Sequence, residues 1–216
     1  MPTYPEILKI RDESPVDEIA QYASACIQQG KIVVCATDTG YLLGVDGLNT
    51  TAIQQIYQIK ARDLHKPMHL VVADVAMAKT LAYMDYTVER IFERFLPGPL
   101  TLILKKKAIV PNLLVSGLET VGLRIPQNDL LLRIVQAAGT PITATSANRS
   151  GRGTPYTVGD VLAELGPKVE SVDLILDQGK TLYEMPSTIL DVTADPPKIL
   201  REGPLAPKIL RQFRVL

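Results

Sequence analysis

Short apolar runs alternate with longer segments of helical periodicity along nearly the whole chain, and few architectures accept that alternation. Ile32-Val33-Val34-Cys35-Ala36 is the first run, β-branched at three of five positions and bounded by Lys31 and Thr37. A strand buried on both faces reads as such a continuous apolar run, whereas a half-exposed strand alternates. Upstream, Val16, Ile19, Ala20, Ala23, Cys26 and Ile27 recur at helical spacing. Ser14-Pro15 reads there as an N-cap followed by a first-turn proline, and Gly30 as the stop. Further strands are predicted at about 68–73, 100–104, 120–125, 172–176, 188–192 and 199–201, with one more leading from Pro141-Ile142 into Ser146. Helices are predicted at about 51–59, 75–81, 88–95 and 130–138, and a weakened capping box at Thr157 and Asp160 starts another that ends near Leu165. Pro97-Gly98-Pro99 breaks the pattern between helix and strand. Interleaved helices and apolar strands predict an α/β fold with a covered sheet.

No linker, composition shift or internal repeat divides the 216 residues, so one domain spanning 1–216 is expected, with the proline-bearing tail 206–216 as an extension lying on the surface. A hydrophobic content of 46% with 21% charged residues excludes a disordered chain. The apolar runs are too short to span a bilayer, and the N-terminus lacks the features of a signal peptide. A cytoplasmic location without membrane association is therefore expected. Lys plus Arg equals Asp plus Glu at 23 each. A protein that binds nucleic acid mainly by neutralising phosphates carries a basic excess, so anion binding here must come from local clusters. Cys26 and Cys35 lie on apolar segments and read as small buried hydrophobes of a reducing compartment. Two histidines, His65 and His69, without a Cys/His cluster give no metal-site signature.

The stretch Thr143-Ala144-Thr145-Ser146-Ala147-Asn148-Arg149-Ser150-Gly151-Arg152-Gly153-Thr154 gathers hydroxyls, an amide, arginines and glycines directly after an apolar strand. It reads either as a polar surface loop or as a cradle for a polyanion. Walker, dinucleotide and nucleophile-elbow glycine motifs are absent. What remains is a set of cations beside strand ends and breakers: Lys60, Arg62, Lys66, Arg124 and Arg201. Arg124 and Arg201 each end an apolar run, where a side chain turns inward and a buried guanidinium needs an anionic partner. A protein carboxylate satisfies that need as well as a ligand. Ala36-Thr37-Asp38-Thr39-Gly40-Tyr41 adds hydroxyls at a strand end, where open α/β sheets bind ligands, though Asp and Gly there equally make a tight turn. Ser187-Thr188 supplies further hydroxyls.

In order along the chain, these segments resemble the YrdC-like family, the threonylcarbamoyl-adenylate synthases that serve a modified adenosine of tRNA. The match runs through Thr37-Asp38-Thr39-Gly40-Tyr41-Leu42-Leu43-Gly44, Lys60-Ala61-Arg62, Lys66-Pro67, Pro97-Gly98-Pro99-Leu100-Thr101, Gly122-Leu123-Arg124, Ser146-Ala147-Asn148, Ser187-Thr188-Ile189 and Arg201-Glu202-Gly203. It covers about residues 15–205. The resemblance implies an open, twisted mixed sheet with flanking helices and a concave cationic cavity. It also implies synthesis of threonylcarbamoyl-AMP and pyrophosphate from L-threonine, bicarbonate and ATP, with Mg2+ carried by the nucleotide and a tRNA threonylcarbamoyl-transfer machinery downstream. By position, Thr39, Arg124 and Ser187 match threonine-binding residues. Lys66, Thr120, Ser146, Asn148, Thr154 and Arg201 match ATP-binding residues, and Lys60 and Arg62 match catalytic ones.

The pair Gly40-Tyr41 is closer to the YciO-like branch, and Val71 stands where many synthases have a histidine; His69, two residues earlier, shares its side of a strand. The alternative reading is thus a YciO-like relative without synthase activity that binds double-stranded RNA or nucleotides, with weak RNA binding as its mark.

Overall fold

A computed structural model of the protein describes residues 4–212. In chain order the elements are β1 (Glu6–Lys9), α1 (Val16–Gln28), β2 (Val33–Thr37), β3 (Gly40–Gly44), α2 (Thr50–Lys60), β4 (His69–Val71), α3 (Val75–Leu81), α4 (Tyr86–Phe95), β5 (Leu100–Lys105), β6 (Thr120–Arg124), α5 (Asp129–Ala138), β7 (Ile142–Ser146), α6 (Val158–Leu165), a 3-10 turn (Gly166–Ser171), β8 (Leu174–Asp177), β9 (Thr188–Asp191), β10 (Lys198–Arg201) and α7 (Ala206–Gln212). The strands form a ten-stranded mixed sheet in the order β1-β8-β2-β3-β7-β4-β6-β5-β9-β10. This is the mixed α/β architecture expected. No helix among the described residues is long and apolar enough to cross a membrane.

The first apolar run shows why the sheet is covered on both faces. Ile32, Val34 and Ala36 pack into one cluster with Ile53 and Ile56 of α2, Leu81 of α3, Ile91 and Phe92 of α4 and Val161 of α6. Val33 and Cys35 point the other way, onto Ala20, Ala23 and Ile27 of α1 and Leu131, Ile134 and Val135 of α5. The strands on that second face are β8, β2, β3, β7 and β4. Across the rest of the sheet, Leu100, Leu102, Leu104, Val121, Leu123 and Leu190 all face the first cluster. Period-two alternation then turns Thr101, Gly122 and Arg124 onto the second face, on the part of it that α1 and α5 do not cover.

Several local expectations change. Ser14 Oγ accepts from the Arg11 N–H at 2.9 Å, so it closes a turn, and α1 begins after Pro15 without a side-chain cap. α2, α3, α4 and α5 do carry side-chain caps, from Asn49, Asp74, Asp85 and Asn128, and the capping box at Thr157 and Asp160 is complete. β3 follows β2 as a hairpin, Thr37 opposite Gly40, where the glycines obscured a strand. β1 is a largely exposed edge strand, parallel to β8, with too little apolar character to read from sequence. The tail is not a surface extension throughout: α7 buries Ala206 and Ile209 completely, because Ile209 joins the larger core cluster. Positions 213–216 of that tail lie outside the described residues.

Candidate active site

Where the α1 and α5 cover ends, a polar cleft opens over the ends of β2, β3, β4, β6 and β7, with about 730 Å³ of free space partly open to solvent. Thr39, Arg62, Arg124, Ser146, Thr154, Ser187 and Arg201 all line it, seven positions singled out from sequence and drawn from six separate segments.

Arg124 ends β6 and is buried, and its partner is Asp38 in the β2–β3 turn. Arg124 Nη2 donates to Asp38 Oδ1 at 2.6 Å and Nη1 donates to Thr39 Oγ1 at 3.0 Å. Asp38 was legible only as a turn residue. The signal that pointed to it was the anionic partner Arg124 requires. Burial pushes the Asp38 carboxyl up while the guanidinium beside it pulls it down. Arg201 Nε donates to the Ser187 carbonyl at 2.9 Å and Nη2 to Ser187 Oγ at 3.0 Å, and that hydroxyl lies 3.0 Å from Thr101 Oγ1. Arg62 Nε and Nη2 donate to the carbonyls of Lys66 and Pro67 at 3.1 and 2.9 Å. Each arginine is thus anchored by neutral oxygens or one carboxylate, with donors left over.

Lys60 does not line the cleft. The last residue of α2, it is 1% exposed. Its Nζ donates to the Ser146 carbonyl, to the Asn148 carbonyl at 2.8 Å and to Asn148 Oδ1 at 2.9 Å. Asn148 also lies behind the surface: Oδ1 accepts from Ser146 Oγ at 2.6 Å, and Nδ2 donates to the carbonyls of Arg152 and Gly153 at 2.7 and 2.8 Å. The Ser150 N–H returns to the Lys60 carbonyl at 2.8 Å. Lys60 and Asn148 together pin the loop that carries Ser146 and leads to Thr154. Burial, and then Arg62, push the Lys60 ammonium down to about 7; the three oxygen acceptors work in the opposite direction. Lys66 is exposed, and Thr120, partly buried, sits four residues before Arg124 along β6; neither lines the cleft.

Two glycines make room. A Cβ on Gly122 would lie 2.5 Å from His69 Cδ2, so the imidazole rests directly on the β6 backbone. Gly40 has φ +142, and a Cβ there would meet Thr154 Cγ2 at 2.6 Å. The YciO-like Gly40-Tyr41 pair therefore seats Thr154 against β3, with the Tyr41 hydroxyl spent on the Gly179 carbonyl at 2.7 Å.

His69 lines the cleft. Burial, then the charges of Arg201, Arg124 and Arg62, push its imidazolium down to about 4. The unfolded chain, titrating near 6.5, binds the proton first, so this stability is fully present above about pH 6.5 and is lost as pH falls through 4. Between pH 6.5 and 4 the wild-type protein is expected to lose about 3 kcal/mol more unfolding free energy than His69→Gln. Urea titrations of both proteins across that range check this; parallel curves would contradict it.

Comparison with known proteins was made on the whole chain. A family model described as telomere recombination, carrying the names Sua5, YciO and YrdC, matches residues 25–203. A Methanocaldococcus jannaschii protein provisionally named a threonylcarbamoyl-AMP synthase is 37% identical over 202 residues, 92% of this chain and 93% of that protein. The threonylcarbamoyl-AMP synthase of Pyrococcus abyssi is 34% identical over 198 residues, 89% of this chain but only 57% of the relative. The structure of P. abyssi Sua5 complexed with L-threonine superposes with a TM-score of 0.87 at 32% identity, over 97% of this chain and 60% of that one. Escherichia coli YciO superposes with a TM-score of 0.80 at 27% identity, over 94% and 98% of the two chains.

Proposed function

The chain belongs to the Sua5–YciO–YrdC family, and from that premise we propose that it is a threonylcarbamoyl-AMP synthase, a nucleotidyltransferase acting on L-threonine, bicarbonate and ATP. The observation that carries the reading is the cleft itself: three separately anchored arginines, Arg62, Arg124 and Arg201, interleaved with the hydroxyls of Thr39, Ser146, Thr154 and Ser187. Relatives named for this activity support it, as does a relative described in complex with L-threonine.

Threonine's amine attacks the bicarbonate carbon, water leaves, and a carbamate forms. A carbamate oxygen then attacks the α-phosphorus of ATP, and pyrophosphate departs with the bonding electron pair. Negative charge shifts between carboxyl and phosphoryl oxygens throughout, so fixed donors aimed into the cleft supply most of the catalysis, with no protein nucleophile. In this scheme Arg124, with Thr39 and Ser187, holds threonine through its carboxylate and hydroxyl. Arg62 faces the developing carbamate. Ser146, Thr154 and Arg201 serve the nucleotide from the cleft wall, whereas Lys66 and Thr120, which lie outside the cleft, have a nucleotide role only by the resemblance. Lys60 and Asn148 act on it indirectly, by fixing the loop beneath Ser146. Magnesium is assigned to the nucleotide, where it would offset phosphate charge. The product passes to a tRNA-modifying transferase.

Pyrophosphate release from ATP is expected only when threonine and bicarbonate are both present, and omission of either returns it to background. ATP binding or turnover without any dependence on threonine would favour the YciO-like alternative instead.

A further inference from the structure

Asp38 has no part in the scheme above; it lies behind Arg124 and not on the cleft wall, its side chain 0% exposed beside a 9% exposed Arg124 side chain. Enclosing an ion pair costs more desolvation than packing apolar side chains of the same volume, so this pair is a poor device for stability alone. It is also incomplete: Asp38 Oδ2 and Arg124 Nε are buried without hydrogen-bond partners. A pair built for its own strength would place both carboxylate oxygens on the guanidinium edge as a fork. Here Asp38 takes Nη2 alone, while Thr39 Oγ1 takes Nη1. Thr39 Oγ1 lies 3.2 Å from Thr37 Oγ1, which donates to the Gly40 carbonyl at 2.7 Å, so the turn itself is held rigid.

The consequence is directional. One anchor on each terminal nitrogen stops the guanidinium from rotating about its Nε–Cζ bond and from swinging out of the sheet plane. One N–H on each of Nη1 and Nη2 stays available to a ligand. The carboxylate also offsets the arginine's charge, so that a guest is chosen by fit to the remaining N–H groups more than by attraction to a bare cation. Arg62 and Arg201, which donate to carbonyl and hydroxyl oxygens, keep their full charge for a polyanion.

We propose that Asp38 is a positioning residue of the amino-acid site: it locks the Arg124 guanidinium in one plane so that its free N–H groups present a fixed fork to a substrate carboxylate. The substrate part rests on the synthase reading; the lock itself does not.

Two measurements on the full chain separate the parts. In 15N spectra of the wild-type protein, the terminal N–H protons of Arg124, assigned through Arg124→Lys, are expected as separate signals, and Asp38→Asn is expected to merge them by restoring rotation. Separate signals that persist in Asp38→Asn would overturn the lock. In steady-state assays, Asp38→Asn is expected to raise KM for threonine roughly tenfold while the Kd for ATP stays within about twofold, since only orientation is lost. In an Arg124→Lys background, which has no fork to position, the same substitution is expected to add nothing. An unchanged threonine KM, or an equal penalty in both backgrounds, would overturn the positioning role. Wild-type protein that shows the separate signals but binds no threonine would overturn the synthase reading and leave the lock standing.

Discussion

Arg124→Ala is expected to lower kcat/KM for threonine by about 10²–10³-fold while the Kd for ATP changes by less than about threefold. The first number is the loss of a charge-assisted fork on a carboxylate in a partly desolvated site, about 3–4 kcal/mol. The second follows from the division of labour proposed for the cleft, in which Arg201 and the Ser146 loop serve the nucleotide. The structure adds a second effect. Removing the guanidinium leaves Asp38 buried beside no cation, a situation that costs about 3–5 kcal/mol in other buried pairs. Arg124→Ala should therefore also lose stability, seen as a lower denaturant midpoint, and kinetics belong at temperatures where the variant is folded. Arg124→Ala/Asp38→Asn should recover part of that stability and none of the threonine use. Equal losses for threonine and ATP in a folded variant would contradict the assignment of Arg124.

Lys60→Met is the second large effect, and it acts from outside the cleft. Methionine fills the aliphatic volume and removes the desolvation cost of the ammonium, so the backbone of α2 is expected to stay intact. The Ser146 and Asn148 carbonyls and Asn148 Oδ1, however, lose their shared donor. The Ser146 carbonyl keeps the Asn148 N–H at 2.9 Å and Asn148 Oδ1 keeps the Ser146 hydroxyl at 2.6 Å, so the Asn148 carbonyl bears the loss; a buried acceptor left unsatisfied costs about 1–3 kcal/mol, and opening the loop to water relieves that cost. The expected outcome is a loop that exchanges freely: the Ser150 amide, now bonded to the Lys60 carbonyl, loses hydrogen-exchange protection, and ATP binds about 100-fold more weakly. Threonine affinity should fall much less. Protection retained at Ser150, together with unchanged ATP affinity, would contradict the role given to Lys60.

How much of this was legible from the chain differs by element. The helix predicted at 75–81 is α3 to the residue, and 120–125 became β6 almost unchanged, because apolar period and breakers agree there. β3 was hidden between Gly40 and Gly44, residues that usually signal turns, although Gly40 is there for the close approach of Thr154. Among site residues, the strand-end hydroxyls and arginines were visible as out-of-place polarity at the ends of apolar runs. Lys60 was visible only as a cation near a helix end. Its register said more: Ile53, Ile56, Tyr57 and Lys60 fall on one helical stripe, so the lysine had to turn inward with the core residues. Asp38 could not be resolved, because a single carboxylate in a Thr-Asp-Thr-Gly turn has the same local signature whether it shapes the turn or reaches a partner 86 positions away. Long-range pairing of that kind depends on how the β2–β3 turn reaches across the ends of β7 and β4 to β6, which local pattern does not encode.

The most direct test of the synthase reading follows the carbon. Incubated with L-threonine, ATP and 13C-labelled bicarbonate, the protein is expected to yield threonylcarbamoyl-AMP carrying one labelled carbon, together with one pyrophosphate per product. An unlabelled mixture of ATP and its hydrolysis products, under conditions where the Pyrococcus abyssi threonylcarbamoyl-AMP synthase forms labelled product, would contradict the account.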